Sequence, residues 1–220
     1  MAALKHGDRV RSIGGGRILA ARQPILEVQE LACIRGDRAI FAGLSFRLDA
    51  GAAMLLTGAN GAGKSSLLRV IAGLLPAAEG EVRLEGVSAQ TDPAAHALKL
   101  RYISSQDALK PALSVTENLT FYAQLWGGNV APALDALGLT SLASLPGRVL
   151  STGQRRRLAL ARLALGRAPL WLLDEPSLGL DAASVTRLGA LMARHRAAGG
   201  AILVATHLPL PLPDATELRL

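Results

Sequence analysis

The sequence predicts an α/β fold in which helices cover the faces of a mostly parallel sheet. Two observations predict it. Short apolar runs that end in turn residues alternate along the chain with segments of helical periodicity, and strand–loop–helix units in series favour parallel strands. Half of the 220 residues are hydrophobic but only 3% are aromatic, so one sizeable core can be built from Leu, Ala, Val and Ile.

The first 24 residues differ from the rest in composition. They hold five basic residues against one acidic residue, together with three consecutive glycines. We expect a flexible basic extension over residues 1–24; a transit peptide is the alternative, although the segment carries few hydroxyl groups. Much of the net charge of +7 falls here, and no basic patch with interleaved aromatic residues stands out elsewhere. We therefore expect no nucleic-acid partner.

The elements expected from residue 25 onward follow the period of the apolar residues. Strands are expected at residues 25–31, 41–48, 52–57, 82–84 and 101–104. Residues 52–57 form a nearly continuous apolar run, which is typical of a strand buried on both faces. Apolar residues recur at helical spacing over residues 64–75, so we expect a helix there that Pro76 ends.

The chain changes character at about residue 107. Leucines fall among turn residues over 107–150 with little strand alternation, which indicates a small helical subdomain. Helices are then expected at 154–165, ended by Gly166 and Pro169, and at 184–196. Buried strands are expected at 170–173 and 201–206. In such sheets ligands bind at the carboxyl ends of the strands, which is where the motifs below lie.

The segment after residue 57 carries the strongest functional signal. It matches the phosphate-loop pattern G-x-x-x-x-G-K-[ST] in full, between an apolar strand and an amphipathic helix. Lys64 is expected to reach the β- and γ-phosphates of ATP, and Ser65 to bind Mg²⁺. A Gly-rich turn with an accidental lysine is the alternative. The nucleotide-binding residues predicted here are Gly58, Ala59, Asn60, Gly61, Ala62, Gly63, Lys64, Ser65 and Ser66.

Two carboxylates follow the apolar run at 170–173. Asp174 is expected to hold Mg²⁺, directly or through water, and Glu175 is placed to act as general base on the attacking water. Taken alone, an acidic pair at a strand end is equally typical of a solvated surface. Its position downstream of a phosphate loop favours the catalytic interpretation.

The segment Leu-Ser-Thr-Gly-Gln at residues 150–154 precedes a helix. Ser151 can cap that helix, and Gly153 allows a ligand to approach the backbone closely. A hydroxyl and free N–H groups at a helix start can form a second phosphate site, with Gln154 beside it. An ordinary helix cap is the alternative.

The order of these motifs resembles the ATP-binding-cassette family over about residues 26–210. The phosphate loop is followed by LSTGQ, which is similar to the family's signature, then by LWLLDE and by Ala-Thr-His at 205–207. The resemblance implies a phosphate-loop NTPase (RecA-like) parallel-sheet core with an antiparallel β subdomain and an inserted helical subdomain. It implies that residues 25–220 form an ATPase domain that uses ATP and Mg²⁺. It also implies a head-to-tail pair of copies, in which Ser151 and Gly153 bind ATP held by the other phosphate loop.

Four further residues stand at positions of the family pattern. Gln106 resembles the glutamine that contacts Mg²⁺ or the attacking water, Asp181 the aspartate that couples the two sites, and His207 the histidine that contacts the γ-phosphate. Each has a plain alternative, namely a solvated loop side chain, a helix cap and a structural histidine. Arg35 stands where the family usually has an aromatic residue that stacks on adenine; a guanidinium can also stack on a base, so adenine selectivity stays open.

One branch of the family, the ATP-binding subunits of haem exporters used in cytochrome c biogenesis, is similar in the segments FAGLSF, LSTGQRRRLALAR and LWLLDEP. Ser105 and residues 177–179 depart from it. The branch implies a membrane-spanning permease partner and a peripheral position on the cytoplasmic face of the bacterial inner membrane. The sequence has no run of about 18 apolar residues that could span a bilayer. The alternatives are another small export or import cassette, or a soluble cassette without a transport role.

Overall fold

The structure, a computed structural model, describes residues 24–220. The strands formed by these residues are numbered in chain order: β1 (Leu26–Arg35), β2 (Arg38–Leu48), β3 (Ala53–Thr57), β4 (Glu79–Leu84), β5 (Val87–Ser88), β6 (Leu100–Ile103), β7 (Leu170–Asp174), β8 (Ala201–Ala205) and β9 (Thr216–Arg219). The α-helices are α1 (Lys64–Ile71), α2 (Pro93–Leu98), α3 (Val115–Trp126), α4 (Val130–Ala136), α5 (Thr152–Ala161) and α6 (Ala182–Ala197). The extension expected at residues 1–24 falls, except for its last residue, outside the described part of the chain.

A parallel sheet in the order β6-β7-β8-β3-β9 carries the strands that precede the predicted motifs. Strands β7 and β8 are buried along their whole length. Alternate side chains of β7 enter two different cores: Trp171 and Leu173 pack with α3 to α6, whereas Leu170 and Leu172 pack with α1 and a second sheet. A strand covered on both faces needs apolar side chains at every position, which explains why these runs do not alternate.

The second sheet is antiparallel, in the order β2-β1-β4-β5. Its longest strand, β1, is irregular in the middle, because the register with β2 shifts between Val28 and Leu31. Glu30 in this segment has φ 45°, and its N–H donates to Oγ of Ser45 at 2.9 Å instead of continuing the ladder. With a parallel core, this antiparallel sheet and the helices after residue 107, the predicted fold class is confirmed.

Helices α3, α4 and α5 pack together through a shared set of fully or nearly fully buried apolar residues, Val115, Leu119, Leu134, Leu137 and Leu158. Helix α3 starts with a capping box, in which Ser114 and Glu117 each accept a hydrogen bond from the other's backbone N–H. None of the helices in residues 24–220 combines the length and the apolar composition needed to cross a bilayer.

Helix α1 is shorter than predicted, and Gly73 rather than Pro76 accounts for its end. Gly73 has φ 72°, and its N–H donates to the carbonyl of Val70, while the N–H of Leu74 donates to the carbonyl of Arg69. This pair of bonds is the Schellman motif, which needs a left-handed residue just past the helix. Leu74 is consequently 66% exposed instead of lying on the apolar face of the helix.

Three short elements were not predicted: β5, α2 and β9. Helix α2 has a local signal, because Asp92 accepts from the N–H of Ala95 and Pro93 occupies the first turn. Helix α5 begins two residues before the predicted start, and its predicted last turn is a 3-10 turn at Arg162–Ala164.

Candidate active site

The predicted phosphate loop joins the end of β3 to the start of α1, at the carboxyl edge of the parallel sheet. Gly63 takes the N-cap position of α1 with φ 105°, and it offers no side-chain acceptor to the first N–H groups of the helix. These groups and the positive end of the helix dipole favour an anion. The ammonium of Lys64 donates to the carbonyl oxygens of Gly58 and Ala59 at 2.8 and 3.0 Å, so it lies folded over the loop.

Ser65 and Asp174 meet at the point where α1 faces the end of β7. The hydroxyl of Ser65 donates to Oδ1 of Asp174 at 3.0 Å. Burial raises the pKa of Asp174, an effect that the hydrogen bond from Ser65 opposes and the charge of Glu175 reinforces. A nearby cation would stabilise such a buried carboxylate. Because hydroxyl and carboxylate oxygens are ligands that Mg²⁺ prefers, the two side chains fit the ion that the motifs imply.

The carboxylate of Glu175 is held by the residues that follow β8. Its Oε1 lies 3.0 Å from Nδ1 of His207, and its Oε2 accepts from the hydroxyl of Thr206 at 3.1 Å. The backbone of Glu175 has φ 48°, a left-handed conformation that is uncommon for residues with a Cβ and recurs at functional sites. The structure thus brings Glu175 and His207 together and adds Thr206, which the sequence did not single out.

A cavity of about 300 Å³ connects the phosphate loop with the two carboxylates. The basic side chains of Arg35 and Lys64 and the acidic ones of Asp174 and Glu175 all line it, an arrangement that suits a phosphate bridged by a cation. Two further wall residues, Ile40 and Ser105, were not predicted. The complete wall is formed by Arg35, Ile40, Asn60, Gly61, Gly63, Lys64, Ser65, Ser66, Ser105, Asp174 and Glu175.

Gln106 is exposed in this structure and is not part of the cavity wall, whereas its neighbour Ser105 is. The backbone carbonyl of Gln106 accepts from the hydroxyl of Ser104 at 2.7 Å, which fixes the start of the loop after β6. His207 is also outside the wall and reaches it only through Glu175, with 60% of its own side chain exposed.

The signature segment lies apart from this cavity and starts α5. Ser151 and Gln154 form a capping box: the N–H of Gln154 donates to Oγ of Ser151 at 3.3 Å, and the N–H of Ser151 donates to Oε1 of Gln154 at 2.8 Å. Gly153 faces the backbone of Gly179 so closely that an added Cβ would lie 3.0 Å from the carbonyl oxygen.

Asp181 caps the next helix, α6. Its Oδ1 accepts from the N–H of Ser184 at 2.8 Å, and the hydrogen bonds from Ser184 lower the pKa of Asp181. Because Gly179 lies two residues earlier, this cap follows directly on the turn that contacts the signature segment.

Comparison with known proteins identifies the family. The family model described as ABC transporter matches residues 41–178. The chain belongs to the ABC transporter family. As a member of it, the chain is an ATP-binding ATPase.

Two relatives within the ABC transporter family carry the same name, cytochrome c biogenesis ATP-binding export protein CcmA. The protein from Rhodospirillum rubrum is 53% identical over 195 residues, which cover 87% of this chain and 84% of the relative. The protein from Paramagnetospirillum magneticum is 50% identical over 199 residues, which cover 87% of this chain and 92% of the relative. The solved ATP-binding subunit of an ABC transporter is similar with a TM-score of 0.78 at 28% identity, covering 84% of this chain and 80% of that one.

Proposed function

We propose that this ABC transporter ATPase powers an export complex of cytochrome c biogenesis, in which ATP hydrolysis supports the delivery of haem for attachment to apocytochrome c. One observation carries the proposal: about half of the residues, over most of the chain, are identical to proteins named for that process in two bacteria. The intact phosphate loop and the two carboxylates at the end of β7 support a subunit that hydrolyses ATP, as opposed to one that binds nucleotide without hydrolysing it.

ATP is the substrate, and the loop between β3 and α1 receives its phosphates. Lys64 exchanges the carbonyl oxygens of Gly58 and Ala59 for phosphate oxygens, which are stronger acceptors because they are charged. Ser65 and Asp174 hold Mg²⁺, which when bound offsets the negative charge of the phosphates. Arg35, on the same cavity wall, stacks on the base.

Glu175 acts as the general base. Its carboxylate takes a proton from water while the water oxygen bonds to the γ-phosphorus and the bond to the bridging oxygen breaks, releasing ADP and phosphate. Thr206 and His207 hold the carboxylate oxygens, and the exposed imidazole of His207 can also turn to the γ-phosphate. Gln106 would contact Mg²⁺ or the attacking water when its loop moves toward the cavity.

A second copy of the chain completes each site. Ser151, Gly153 and Gln154 are not on the cavity wall of their own chain, yet they present the N-terminal end of α5, which favours an anion. In a head-to-tail pair they contact the ATP of the other copy. Asp181 lies on the turn beside Gly153 and links the two sites.

The dimer works on a membrane-spanning permease of the haem and cytochrome c maturation system. ATP-driven closure moves the helical subdomain at about 107–150 relative to the phosphate loop, and this movement is transmitted to the permease. The chain then lies peripherally on the cytoplasmic face of the bacterial inner membrane, without a nucleic-acid partner.

The pairing is tested by mixing two inactive variants, Lys64→Ala and Ser151→Ala. In a head-to-tail heterodimer one site has both defects and the other has none, so a mixture regains about a quarter of the wild-type ATPase rate. Each variant alone, at the same total concentration, is the control. No recovery on mixing, with heterodimers detected by differently tagged copies, contradicts the pairing.

The role in cytochrome maturation is tested in a strain that lacks the gene. Haem staining of covalent c-type cytochromes is expected to disappear, to return with the wild-type gene and to stay absent with Lys64→Ala. Normal staining in the deletion strain, where no second copy of the gene is present, refutes the haem role.

A further inference from the structure

Arg156 on α5 is buried although it carries a charge. It is the middle one of three consecutive arginines, and only 3% of its surface is exposed, while Arg155 is exposed and Arg157 half-buried. A charged side chain is rarely buried unless its donors are all used. We therefore expect each N–H group of the Arg156 guanidinium to donate to an acceptor inside the protein.

All five N–H donors of the guanidinium are used by two segments of the active site. On one side Nη2 donates to the carbonyl oxygens of Asp174 at 3.0 Å and Glu175 at 2.8 Å, and Nε donates to that of Pro176 at 3.1 Å. On the other side Nη1 donates to the carbonyl oxygen of Ser104 at 2.7 Å and to Oδ1 of Asp107 at 3.1 Å.

The first segment is the turn that carries the left-handed Glu175. Three successive carbonyls held by one planar group fix the direction of this turn, and thereby the position of the Glu175 carboxylate. The conformation is unfavourable for a residue with a Cβ, so it persists only where the surroundings hold it. Arg156 is the side chain that bonds to the backbone on both sides of the strained residue.

The second segment is the loop that carries Gln106 between Ser104 and Asp107. Asp107 is held twice, because its carbonyl oxygen also accepts from Nη2 of Arg162 at 3.2 Å. Arg162 in turn donates to the hydroxyl of Tyr122 on α3 at 3.0 Å. The position of the Gln106 loop is thus linked through Arg156 to the turn of Glu175.

We infer that Arg156 is a positioning residue for hydrolysis, which holds the Glu175 turn and fixes it to the Gln106 loop. The inference rests on the proposed role of Glu175 as general base. Lysine cannot replace arginine here, because an ammonium has three donors without the planar geometry that reaches five acceptors.

The test compares Arg156→Lys with Arg157→Lys. Arg157 is a matched control, since Nη1 of this neighbour also bonds to backbone carbonyls, those of Leu137 and Gly138, away from the cavity. We expect the kcat of Arg156→Lys to fall about 10-fold or more, with the KM for ATP and the affinity for a fluorescent ATP analogue changed by less than about two-fold. For Arg157→Lys all three values stay within about two-fold of wild type.

A double variant separates positioning from general structural damage. If Arg156 acts through Glu175, then Arg156→Lys costs no further rate in single-turnover hydrolysis by Glu175→Gln. An equal loss on top of Glu175→Gln, or a kcat of Arg156→Lys equal to that of Arg157→Lys, overturns the inference. If circular dichroism shows that Arg156→Lys is unfolded, Asp107→Ala decides in its place, because it removes the oxygen that accepts from Nη1 of Arg156. A reduced kcat at constant KM supports the inference, and an unchanged kcat overturns it.

The same measurements distinguish this inference from the proposed function. If Glu175→Gln keeps wild-type activity, Glu175 is not the general base, and the inference loses the proposed role on which it rests. If Glu175→Gln loses activity while Arg156→Lys keeps a normal rate, the inference about Arg156 is refuted and the proposed function stands.

Discussion

Acid is expected to destabilise the fold through His195, a residue of α6 outside the active site. Its ring stacks on Trp171 with a centroid distance of 3.8 Å and an interplanar angle of 9°. The other face of the pocket is formed by Gly200, where any Cβ would collide with the imidazole. Nε2 has one partner, the carbonyl oxygen of Ala201 at 3.3 Å. An apolar stack of this kind accommodates the neutral ring and disfavours the imidazolium.

The size of the effect follows from the proton affinity of the ring. Burial lowers the pKa of His195 from 6.5 to about 4. The unfolded chain therefore binds this proton first as the pH falls, so the contribution to the free energy of unfolding is complete above the unfolded pKa and is lost between the two values. The loss amounts to about 3 kcal/mol without solvent screening, and about 2 kcal/mol is a reasonable expectation for a ring that keeps some exposure.

Urea denaturation of wild type and of His195→Phe measures this loss. Phenylalanine keeps an aromatic ring against Trp171 but does not titrate, and all carboxylates titrate alike in both proteins. Between about pH 7 and about pH 4.5 the wild type is expected to lose about 1 to 2 kcal/mol more than the variant. Parallel stability curves would show that the ring is protonated as easily in the fold as in the unfolded chain, and would refute the reasoning.

Three further outcomes are expected. Ser65→Ala removes the hydroxyl that donates to Asp174. In a magnesium titration, the Mg²⁺ concentration for half-maximal ATPase activity should rise about 10-fold or more. An unchanged midpoint excludes Ser65 as a Mg²⁺ ligand. Gly153→Ala brings a Cβ to 3.0 Å from the carbonyl oxygen of Gly179, a contact that opposes the gain of about 1 kcal/mol expected for alanine in a helix. Urea denaturation should therefore show no gain in stability, and a gain of about 1 kcal/mol would contradict the close contact. Leu173→Ala empties a fully buried position just before the carboxylates and should cost about 2 to 5 kcal/mol by the same assay, whereas a cost below about 1 kcal/mol would contradict close packing there.

Local patterns predicted most of the regular elements. The apolar runs of β3, β7 and β8 and the phosphate loop between β3 and α1 were evident, because strand burial and the loop pattern are both encoded within a few residues. The prediction for the end of α1 is wrong, because the helical spacing of the leucines continues past Gly73, whose left-handed conformation ends the helix. The missed helix α2 also had a local signal, the pair Asp92 and Pro93.

The phosphate loop and the two carboxylates after β7 come together only through the order of the strands. Ser65 and Asp174 are 109 positions apart and bond because α1 packs against the end of β7. Ile40 enters the same cavity from the antiparallel sheet, and nothing in its own sequence surroundings indicates this. A local pattern reports the period of a strand or helix but not its neighbours, because strand order and register depend on interactions across the whole chain.

The sequence by itself therefore determined the family and the phosphate-loop pattern, and it predicted the chemical types of the catalytic groups. Tertiary structure alone decided that Glu175 sits on a left-handed turn, and that Arg156 uses its five donors to hold that turn together with the loop of Gln106. The physical reason is that a buried charge takes its partners from wherever the fold supplies acceptors, and in this chain they come from two strand ends far from the arginine in sequence.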